Sequence, residues 1–269
     1  MDETLLQRKA YEIRRKTLSM IYSGGAGHTG GDMSAADILT VLFYQVMRCD
    51  ASRPDWLERD RYVQSKGHCV EVYLAILGDM GFFPEEELKT YGMFGSRFIG
   101  HPSRKIPGIE ICTGALGHGL SAGVGMALGA RMDELPTHVY VLMGDGELAE
   151  GSIWEAAMAA GHYCLGNLTA IVDRNHLQIT GNTEDVMRLE PLKQKWEAFG
   201  FHVIEIDGHD IATIRNALLH REAKKPVLVL AHTVKGKGIS YMENNVKWHH
   251  GVPNAAQFAT AMEELEART

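Results

Sequence analysis

The hydrophobic positions of the chain form short runs separated by segments of helical periodicity. One apolar run covers residues 139–143 and is followed by Gly144-Asp145-Gly146, and a second covers residues 168–172 and is followed by Asp173-Arg174-Asn175. The segment between the runs has the length and pattern of a helix. Two buried strands joined by a helix are typical of a parallel sheet, so we predict a strand–helix–strand unit here.

Similar patterns on both sides of this unit extend the prediction to the whole chain. Residues 91–113 show little sign of regular structure, which is typical of a functional loop or of disorder. The pattern favours a single α/β domain over residues 1–269, doubly wound, with a mostly parallel sheet and helices on both faces. The other predicted strands cover residues 61–64, 201–206 and 227–231, and the predicted helices cover residues 3–23, 34–47 (opened by a capping box at Ser34 and Asp37), 70–80, 211–223 and the stretch from 254 onward.

Composition excludes several classes of protein. The chain has 269 residues, 45% of them hydrophobic and 23% charged, and a formal net charge of -7, which does not favour a nucleic-acid or membrane surface. Four scattered cysteines without a CxxC pair fit reduced thiols better than a disulfide framework or a zinc site. There is no run of about 18 apolar residues and no signal peptide. We therefore expect a cytoplasmic protein.

The polar clusters fall where ligands bind in parallel sheets, beyond the carboxyl ends of the strands. Residues 144–149 fit the loose dinucleotide pattern G-x-G-x-x-G/A, and Asp173 stands where a ribose-binding acid is expected. However, such a turn presents backbone N–H groups to a diphosphate, and the Asp145 carboxylate would repel that anion. The repulsion disappears if Mg²⁺ lies between them, since Mg²⁺ prefers oxygen ligands. Asp145, Asn175 and a backbone carbonyl just after Asn175 are the candidate ligands.

Six stretches resemble the amino-terminal half of transketolases, and together they span nearly the whole chain. They are GHTGGDMSAADIL, RYVQSKGH, GHPSRKIPGIEICTGALGHG, GDGELAEG, DRNHLQITG and TVKGKG…ENNVKWHHG. The GDG motif followed by Asn175 after a helix-length gap is similar to the thiamine diphosphate binding motif. The resemblance implies the thiamine diphosphate-binding fold, with thiamine diphosphate and Mg²⁺ (or Ca²⁺ or Mn²⁺ as substitutes) as cofactors. It assigns the metal to Asp145, Asn175 and the Leu177 carbonyl.

The resemblance also assigns roles to four histidines. His28 matches a histidine at the mouth of the active site that contacts substrate hydroxyls, and His101 one that contacts the donor ketose. His68 and His250 match histidines that reach the cofactor diphosphate. His249 is the alternative to His250, which we choose because it directly precedes a glycine. Without the resemblance, these would be ordinary loop or helix-cap histidines.

Further cofactor contacts follow from the same comparison of motifs. Backbone atoms of Gly114 and Leu116 are expected to touch the thiazolium and aminopyrimidine rings, and Glu150 is expected to belong to a catalytic acidic network. Lys66, Cys69 and Ala115 depart from residues common in the family, and small residues after Gly119 also fit close helix packing. The expected cofactor-binding set is His68, Gly114, Leu116, Gly144, Asp145, Gly146, Glu147, Asn175 and His250, and the expected catalytic set is His28, His68, His101, Glu150 and His250.

Transketolases place the glutamate that activates the cofactor in a second, pyrimidine-binding domain, and a third domain follows it. Both lie beyond the part that this chain resembles. The chain is therefore a fragment or one subunit of a split enzyme, and its start and its polar end favour the second interpretation. We expect a partner chain that supplies the other domains, a heterotetramer with two copies of each chain, and no turnover by this chain alone.

The implied activity is transfer of a two-carbon ketol unit from a ketose phosphate to an aldose, as in the pentose phosphate pathway. Several alternatives stay open at this point. The donor can be an unusual ketose, sulfonated or branched. The chain can belong to another thiamine enzyme, of the 2-oxoacid dehydrogenase or deoxyxylulose phosphate synthase type. It can also be an NAD-dependent oxidoreductase or a catalytically idle scaffold.

Overall fold

A computed structural model describes all residues from 1 to 269. Five parallel strands form the central sheet, in the order β1-β2-β3-β7-β6, and a small antiparallel hairpin of β4 and β5 lies apart from it. The strands are β1 (Arg61–Gln64), β2 (Val139–Gly144), β3 (Leu168–Arg174), β4 (Leu177–Gln178), β5 (Gly181–Asn182), β6 (His202–Asp207) and β7 (Val227–His232).

Nine α-helices surround the sheet, and the predicted positions of most of them are confirmed. Short 3-10 turns and one π-helical turn after α2 complete the regular structure. The helices are α1 (Glu3–Gly24), α2 (Thr29–Val41), α3 (Val70–Asp79), α4 (Gly119–Met132), α5 (Gly151–His162), α6 (Thr183–Val186), α7 (Leu192–Ala198), α8 (Ile211–Leu219) and α9 (Ala255–Glu266).

Alternate residues of the central strands enter two separate cores, which confirms that helices cover both faces. Leu142 and Ile171 pack with residues of α1, α2, α3 and α8. Their neighbours Val141 and Val172 pack on the other face with residues of α4, α5 and α7. Because successive side chains of a strand point to opposite faces, a strand between two helical layers is apolar at every position. This explains the uninterrupted apolar runs.

The predicted start of α2 is wrong. The helix begins at Thr29, five residues before Ser34. The Ser34 hydroxyl bonds the Gly31 carbonyl and Asp173, and the Asp37 carboxylate pairs with Arg14 at 2.7 Å. The apparent capping box therefore consists of two buried side chains inside the helix, and each of them has a partner far away in the sequence.

The remaining expectations agree with the structure or differ from it in small ways. No α-helix or strand lies between Thr90 and Gly119, as the pattern of residues 91–113 predicts. The helix predicted to reach residue 223 ends at Leu219. No helix combines the length and apolar character needed to cross a bilayer.

Candidate active site

A cavity of about 450 Å³ opens at the carboxyl ends of β1, β2, β3 and β7. Its size is typical of a small-molecule site, and most of the residues that line it are polar. Two of the predicted site residues, Glu150 and His250, are not part of the lining. The others line the cavity together: His28, His68, His101, Gly114, Leu116, Gly144, Asp145, Gly146, Glu147, Asn175 and Leu177.

Backbone contacts bring distant segments to the cavity. The Gly251 N–H donates to the Gly27 carbonyl at 3.1 Å, and the Thr29 hydroxyl donates to the Gly251 carbonyl at 2.7 Å. Gly30 lies so close to the segment before Gly251 that an added Cβ would be 2.7 Å from the Trp248 carbonyl oxygen. A glycine is required there for the two loops to meet, and their meeting places His28 beside the C-terminal histidines.

Three oxygen groups at the ends of β2 and β3 form the predicted metal-binding set. The Asp145 carboxylate is 1% exposed and accepts from the N–H groups of Gly146 (2.7 Å) and His176 (2.6 Å). Asn175 Oδ1 accepts from the Leu177 N–H at 3.1 Å. A carboxylate, an amide oxygen and the Leu177 carbonyl are the hard ligands that Mg²⁺ and Ca²⁺ prefer, so the donor set fits a divalent cation.

The electrostatics of Asp145 also fit a cation. Burial, together with the nearby Asp173 carboxylate, raises the pKa of Asp145 to about 6, although Arg174 opposes the shift. A buried carboxylate with a raised pKa is stabilised by additional positive charge. A divalent ion beside Asp145 would supply that charge and would lower the pKa again.

The imidazole rings gather around His28. Its ring centroid lies 5.0 Å from that of His68, 6.4 Å from His101, 5.6 Å from His249 and 4.6 Å from His250. Burial and the neighbouring positive groups lower the pKa of His28 to about 4 and that of His249 to about 3. Burial also lowers the pKa of His68 and of His101. These four rings are therefore neutral at pH 7 and can both donate and accept hydrogen bonds.

Comparison with known proteins agrees with this geometry. Residues 6–265 match the family described as transketolase, thiamine diphosphate binding domain. The chain is 48% identical over 270 residues to a protein of Phocaeicola vulgatus that is named as a subunit of apulose-4-phosphate transketolase, covering 100% of this chain and 96% of that protein.

The chain belongs to the transketolase family.

Other relatives show two kinds of organisation within this family. A protein of Clostridium sp. named as a 6-deoxy-6-sulfo-D-fructose transketolase subunit is 44% identical over 264 residues, covering 97% of this chain and 96% of that protein. The crystal structure of the Campylobacter jejuni transketolase superposes with a TM-score of 0.92 at 32% identity, covering 99% of this chain but 43% of that one. The chain thus matches subunit-sized relatives almost entirely and spans about two fifths of the solved transketolase.

Family membership decides between the enzyme classes left open by the sequence. The chain is part of a thiamine diphosphate-dependent enzyme that transfers ketol units. The interpretations as a 2-oxoacid dehydrogenase, a deoxyxylulose phosphate synthase or an NAD-dependent oxidoreductase have no support in these matches. The carboxylate of Asp145 in the glycine turn is the sequence feature that argued against an NAD-dependent oxidoreductase.

Two buried lysines of this transketolase chain are site residues that the sequence did not identify as such. Lys66 Nζ lies 2.5 Å from Asp173 Oδ2 and 3.0 Å from the Gly31 carbonyl, and its side chain is almost fully buried. Lys235 Nζ contacts the Leu177 carbonyl at 3.2 Å and His249 Nδ1 at 3.1 Å. Both lysines line the cavity. The only sequence signal was their place inside two of the family-like stretches.

The lysines give the cavity a positive side. Burial alone would raise the pKa of Asp173, but Lys66, Ser34 and Thr233 outweigh it and hold that pKa below its usual range. The Lys66–Asp173 pair is therefore ionised. Lys235 has no carboxylate partner, and burial and the charge of Lys66 lower its pKa. An unpaired buried ammonium group that faces a cavity indicates an anionic ligand.

The two predicted glutamates occupy different positions. Glu147 is buried and accepts from the Ser65 hydroxyl, the Gly117 N–H (2.9 Å) and the Gly144 N–H (3.1 Å). These hydrogen bonds hold the loop after β1 and the loop after β2 together. Glu150 is exposed and precedes α5, with its Cβ against Gly117, which has a φ of 86°. Its carboxylate has no partner within this chain.

The adjacent histidines His249 and His250 lie in different positions relative to the cavity. His249 lines the cavity and contacts Lys235, whereas His250 is exposed and lies outside the lining, near His28. From the sequence, His250 was chosen as the site histidine because it directly precedes Gly251. The direction of each ring depends on the turn that precedes Gly251, which the motif does not encode.

Two other features lack the properties of an active site. A shallow depression of about 1130 Å³ lies at the opposite ends of the strands, and its residues Arg48, Arg131 and Arg221 already bond carbonyl oxygens. His202, His220 and Glu222 lie close enough for a metal. However, the two rings are stacked, 4.7 Å apart and 20° from parallel, so their in-plane nitrogen lone pairs do not converge.

Proposed function

We propose that this chain is the diphosphate-binding subunit of a split transketolase, one domain over residues 1–269, and that a second chain supplies the pyrimidine-binding and C-terminal domains. The observation that carries the proposal is a cavity in which oxygen ligands for a cation lie next to the buried ammonium group of Lys235. The relatives that match this chain over nearly their whole length are named as transketolase subunits. Both features support a site that is completed by another chain.

In this proposal, Asp145, Asn175 and the Leu177 carbonyl hold Mg²⁺, for which Ca²⁺ or Mn²⁺ can substitute. Lys235 and His249 face the same space and bind the diphosphate, with His68 beside them. Backbone atoms of Gly114 and Leu116 and the glycines of the Gly144–Gly146 turn contact the rest of thiamine diphosphate. When bound, the cofactor supplies the nucleophilic carbon that carries the two-carbon unit.

The histidines act on the substrate. Because His28 and His101 are neutral and line the cavity, each can accept a hydrogen bond from a sugar hydroxyl or donate one to a developing alkoxide. His250, exposed near His28, faces the route by which a sugar enters. Glu150, which has no partner in this chain, meets the acidic network of the assembled enzyme.

The substrates are sugar phosphates, a ketose donor and an aldose acceptor. The names of two relatives include apulose-4-phosphate and 6-deoxy-6-sulfo-D-fructose, of which the second is a sulfonated sugar. These names support an unusual ketose as the donor. A donor of the pentose phosphate pathway is the second candidate, because mammalian transketolases are also similar, with 38% identity for that of Rattus norvegicus.

Exposed apolar side chains in the cavity lining and in the loop that leads to His101 support a covering partner. Ile179 lines the cavity and is 69% exposed, and Phe94 and Ile99, in the loop that leads to His101, are fully and half exposed. Apolar groups in such positions mark interaction surfaces. We propose a cytoplasmic heterotetramer with two copies of each chain.

Native mass spectrometry of the tagged chain, purified gently from its own host, tests this proposal. The expected result is a complex with a second chain of similar size that carries thiamine diphosphate and a divalent ion. The complex should transfer ketol units and the isolated chain should not.

Two substitutions sharpen the test of the complex. Asp145→Asn, which removes the negative charge of one metal ligand, should abolish turnover, and Glu197→Gln, an exposed substitution on α7, should not. Turnover by the isolated chain would contradict the proposal. So would a chain that purifies alone and does not bind added thiamine diphosphate with Mg²⁺.

A further inference from the structure

Two buried acids lie outside the cavity, behind its histidines. Asp32 is in the first turn of α2 and Glu71 in the first turn of α3, and both are 0% exposed. Asp32 Oδ1 accepts from the Val72 N–H at 2.9 Å, and Glu71 Oε1 accepts from the Tyr91 hydroxyl. The two carboxyl groups lie within hydrogen-bonding reach of each other.

The remaining oxygen of each carboxyl group is the unusual feature. Asp32 Oδ2 and Glu71 Oε2 are fully buried, and no N–H or O–H group donates to either. Two adjacent buried carboxylates cannot both be ionised, because their charges repel and neither is solvated. A single proton shared by the two carboxyl groups would remove this repulsion and form a hydrogen bond between them. The remaining negative charge would be stabilised by the N-termini of α2 and α3.

The pair adjoins three of the segments that carry cavity histidines. An added Cβ at Gly27, the residue before His28, would lie 3.0 Å from Glu71 Oε1. Glu71 itself follows His68 by three residues. Tyr91 begins the loop that leads to His101, and its ring packs so closely on Gly24 that a Cβ there would be 2.5 Å away.

We propose that Asp32 and Glu71 share one proton and act as a positioning pair that holds the segments carrying His28, His68 and His101 around the cavity. The part that concerns catalysis rests on the proposed roles of these histidines. The proposal that the two acids share a proton does not depend on those roles, and it is tested separately.

The groups around the pair define its pH dependence. The Lys66 ammonium, the Tyr91 hydroxyl, the Cys69 thiol and the His28 backbone face it. Burial, and for Asp32 also the Glu71 carboxyl group, raises the pKa of both acids. In the unfolded chain both acids lose their protons near about pH 4. The stabilisation by the shared proton is therefore fully present below that pH and is lost as pH rises through the folded pKa.

Infrared spectroscopy of the full chain tests the shared proton directly. At about pH 8, where ordinary carboxyl groups are ionised, we expect the wild type to show the carbonyl band of a protonated carboxylic acid. Asp32→Asn and Glu71→Gln should each abolish that band, because one carboxylate then pairs with a permanent amide donor. Glu197→Gln, which removes an exposed carboxylate, should leave it unchanged. A wild type without the band, or a band that survives both substitutions, would overturn the shared proton.

Nitrogen-15 NMR of the histidine rings tests the positioning role without any assay of activity. Glu71→Ala removes the bonds to Asp32 and Tyr91, so the signals of His28, His68 and His101 should shift, while Glu71→Gln should restore them. His162, at the end of α5 and away from the cavity, provides the reference signal. Unshifted site histidines in Glu71→Ala would refute the positioning role.

Kinetics of the assembled enzyme give the third readout. At neutral pH, Glu71→Gln should keep kcat/KM within about twofold of the wild type, and Glu71→Ala should lose about tenfold or more. As pH rises through the folded pKa of the pair, the wild type should decline toward Glu71→Ala, while Glu71→Gln keeps its activity. Equal losses in Glu71→Gln and Glu71→Ala would contradict the proposal. An assembly without any ketol transfer would refute the proposed function instead, and the infrared and NMR results would still decide the role of the pair.

Discussion

Burial controls the charge of individual residues in this protein, inside the site and away from it. Burial and neighbouring positive groups hold the pKa values of His28 and His249 low and keep both rings neutral. Lys66 stays charged at a buried position because Asp173 pairs with it. In each case the residue type alone gives the wrong or an incomplete expectation, since solvation and partners set the protonation state.

His138 provides a test of this control far from the cavity. It is 7% exposed, its Nε2 lies 2.8 Å from the Thr169 hydroxyl, and burial, with Arg221 and Arg48 nearby, lowers its pKa to about 3. The unfolded chain protonates this histidine below about pH 6.5 and the folded chain does not. The free energy of unfolding should therefore fall as pH falls, by about 1.4 kcal/mol per pH unit from this group.

His138→Gln keeps a hydrogen-bonding side chain but cannot be protonated. We expect urea denaturation of this variant between about pH 5 and about pH 6.5 to show a pH dependence smaller than that of the wild type by about one proton. His162→Gln, at the exposed end of α5, serves as the control for replacing a histidine by glutamine. Identical slopes for His138→Gln and the wild type would mean that this histidine is protonated in the folded protein.

At the scale of elements, α4 shows that a run of small residues has more than one role. An added Cβ at Gly123 would lie 2.4 Å from Val141 Cγ2, so this glycine permits the helix to approach β2. Gly125, two residues on, is exposed with no atom near the corresponding position. The sequence indicated close packing along the whole of α4. In the structure, Gly123 is closely packed and Gly125 is not.

The two glycines form a matched pair for mutation. Gly123→Ala should destabilise the chain, because overpacking costs about 1–3 kcal/mol and outweighs the gain of about 0.5–1 kcal/mol in helix propensity. Gly125→Ala should stabilise the chain, because only the gain in helix propensity applies at this open position. Denaturation of the isolated chain in urea measures both. If Gly123→Ala were as stable as Gly125→Ala, the close contact between α4 and β2 would be excluded.

The ends of elements show where local patterns are insufficient. The strand at Val139–Gly144 was predicted within one residue, because a strand buried on both faces is recognisable from its apolar run. The start of α2 was predicted wrongly because Ser34 and Asp37 have the spacing of a capping box, the pattern of a helix N-terminus. Their true partners, Asp173 and Arg14, lie 139 and 23 residues away.

At the scale of the whole molecule, the order of the strands assembles the site. β7 lies between β3 and β6, so the segment after β7 reaches the end of β3. Thr233 then bonds Asp173, and Lys235 bonds the Leu177 carbonyl. The cation ligands and the positive side of the cavity are thus adjacent, although they come from segments 58 residues apart.

This adjacency predicts that cation and diphosphate bind together and stabilise the whole chain. Thiamine diphosphate with Mg²⁺ at about 100 times its Kd should stabilise the folded state by about 2.7 kcal/mol, which corresponds to a rise in Tm of roughly 5–10 °C for a domain of this size. Thiamine diphosphate with EDTA should give little or no rise.

Thermal denaturation of the full chain provides this measurement, alone and with its partner. Asp145→Asn should remove the response to Mg²⁺, and Lys235→Met should weaken the response to the diphosphate while the variant still folds. An equal rise in Tm with EDTA and with Mg²⁺ would show that the cofactor binds without the cation.

The sequence by itself determined the α/β architecture, the positions of the strands and the polar groups at their carboxyl ends. These features depend on periodicity and on short motifs, which are local properties of the chain. The tertiary structure alone decided that Lys66 pairs with Asp173, that Lys235 faces the cavity, that His249 rather than His250 lines it, and that Asp32 meets Glu71. Each of these depends on a contact between residues from separate elements, such as the 107 positions between Lys66 and Asp173, and no local pattern encodes such a distance.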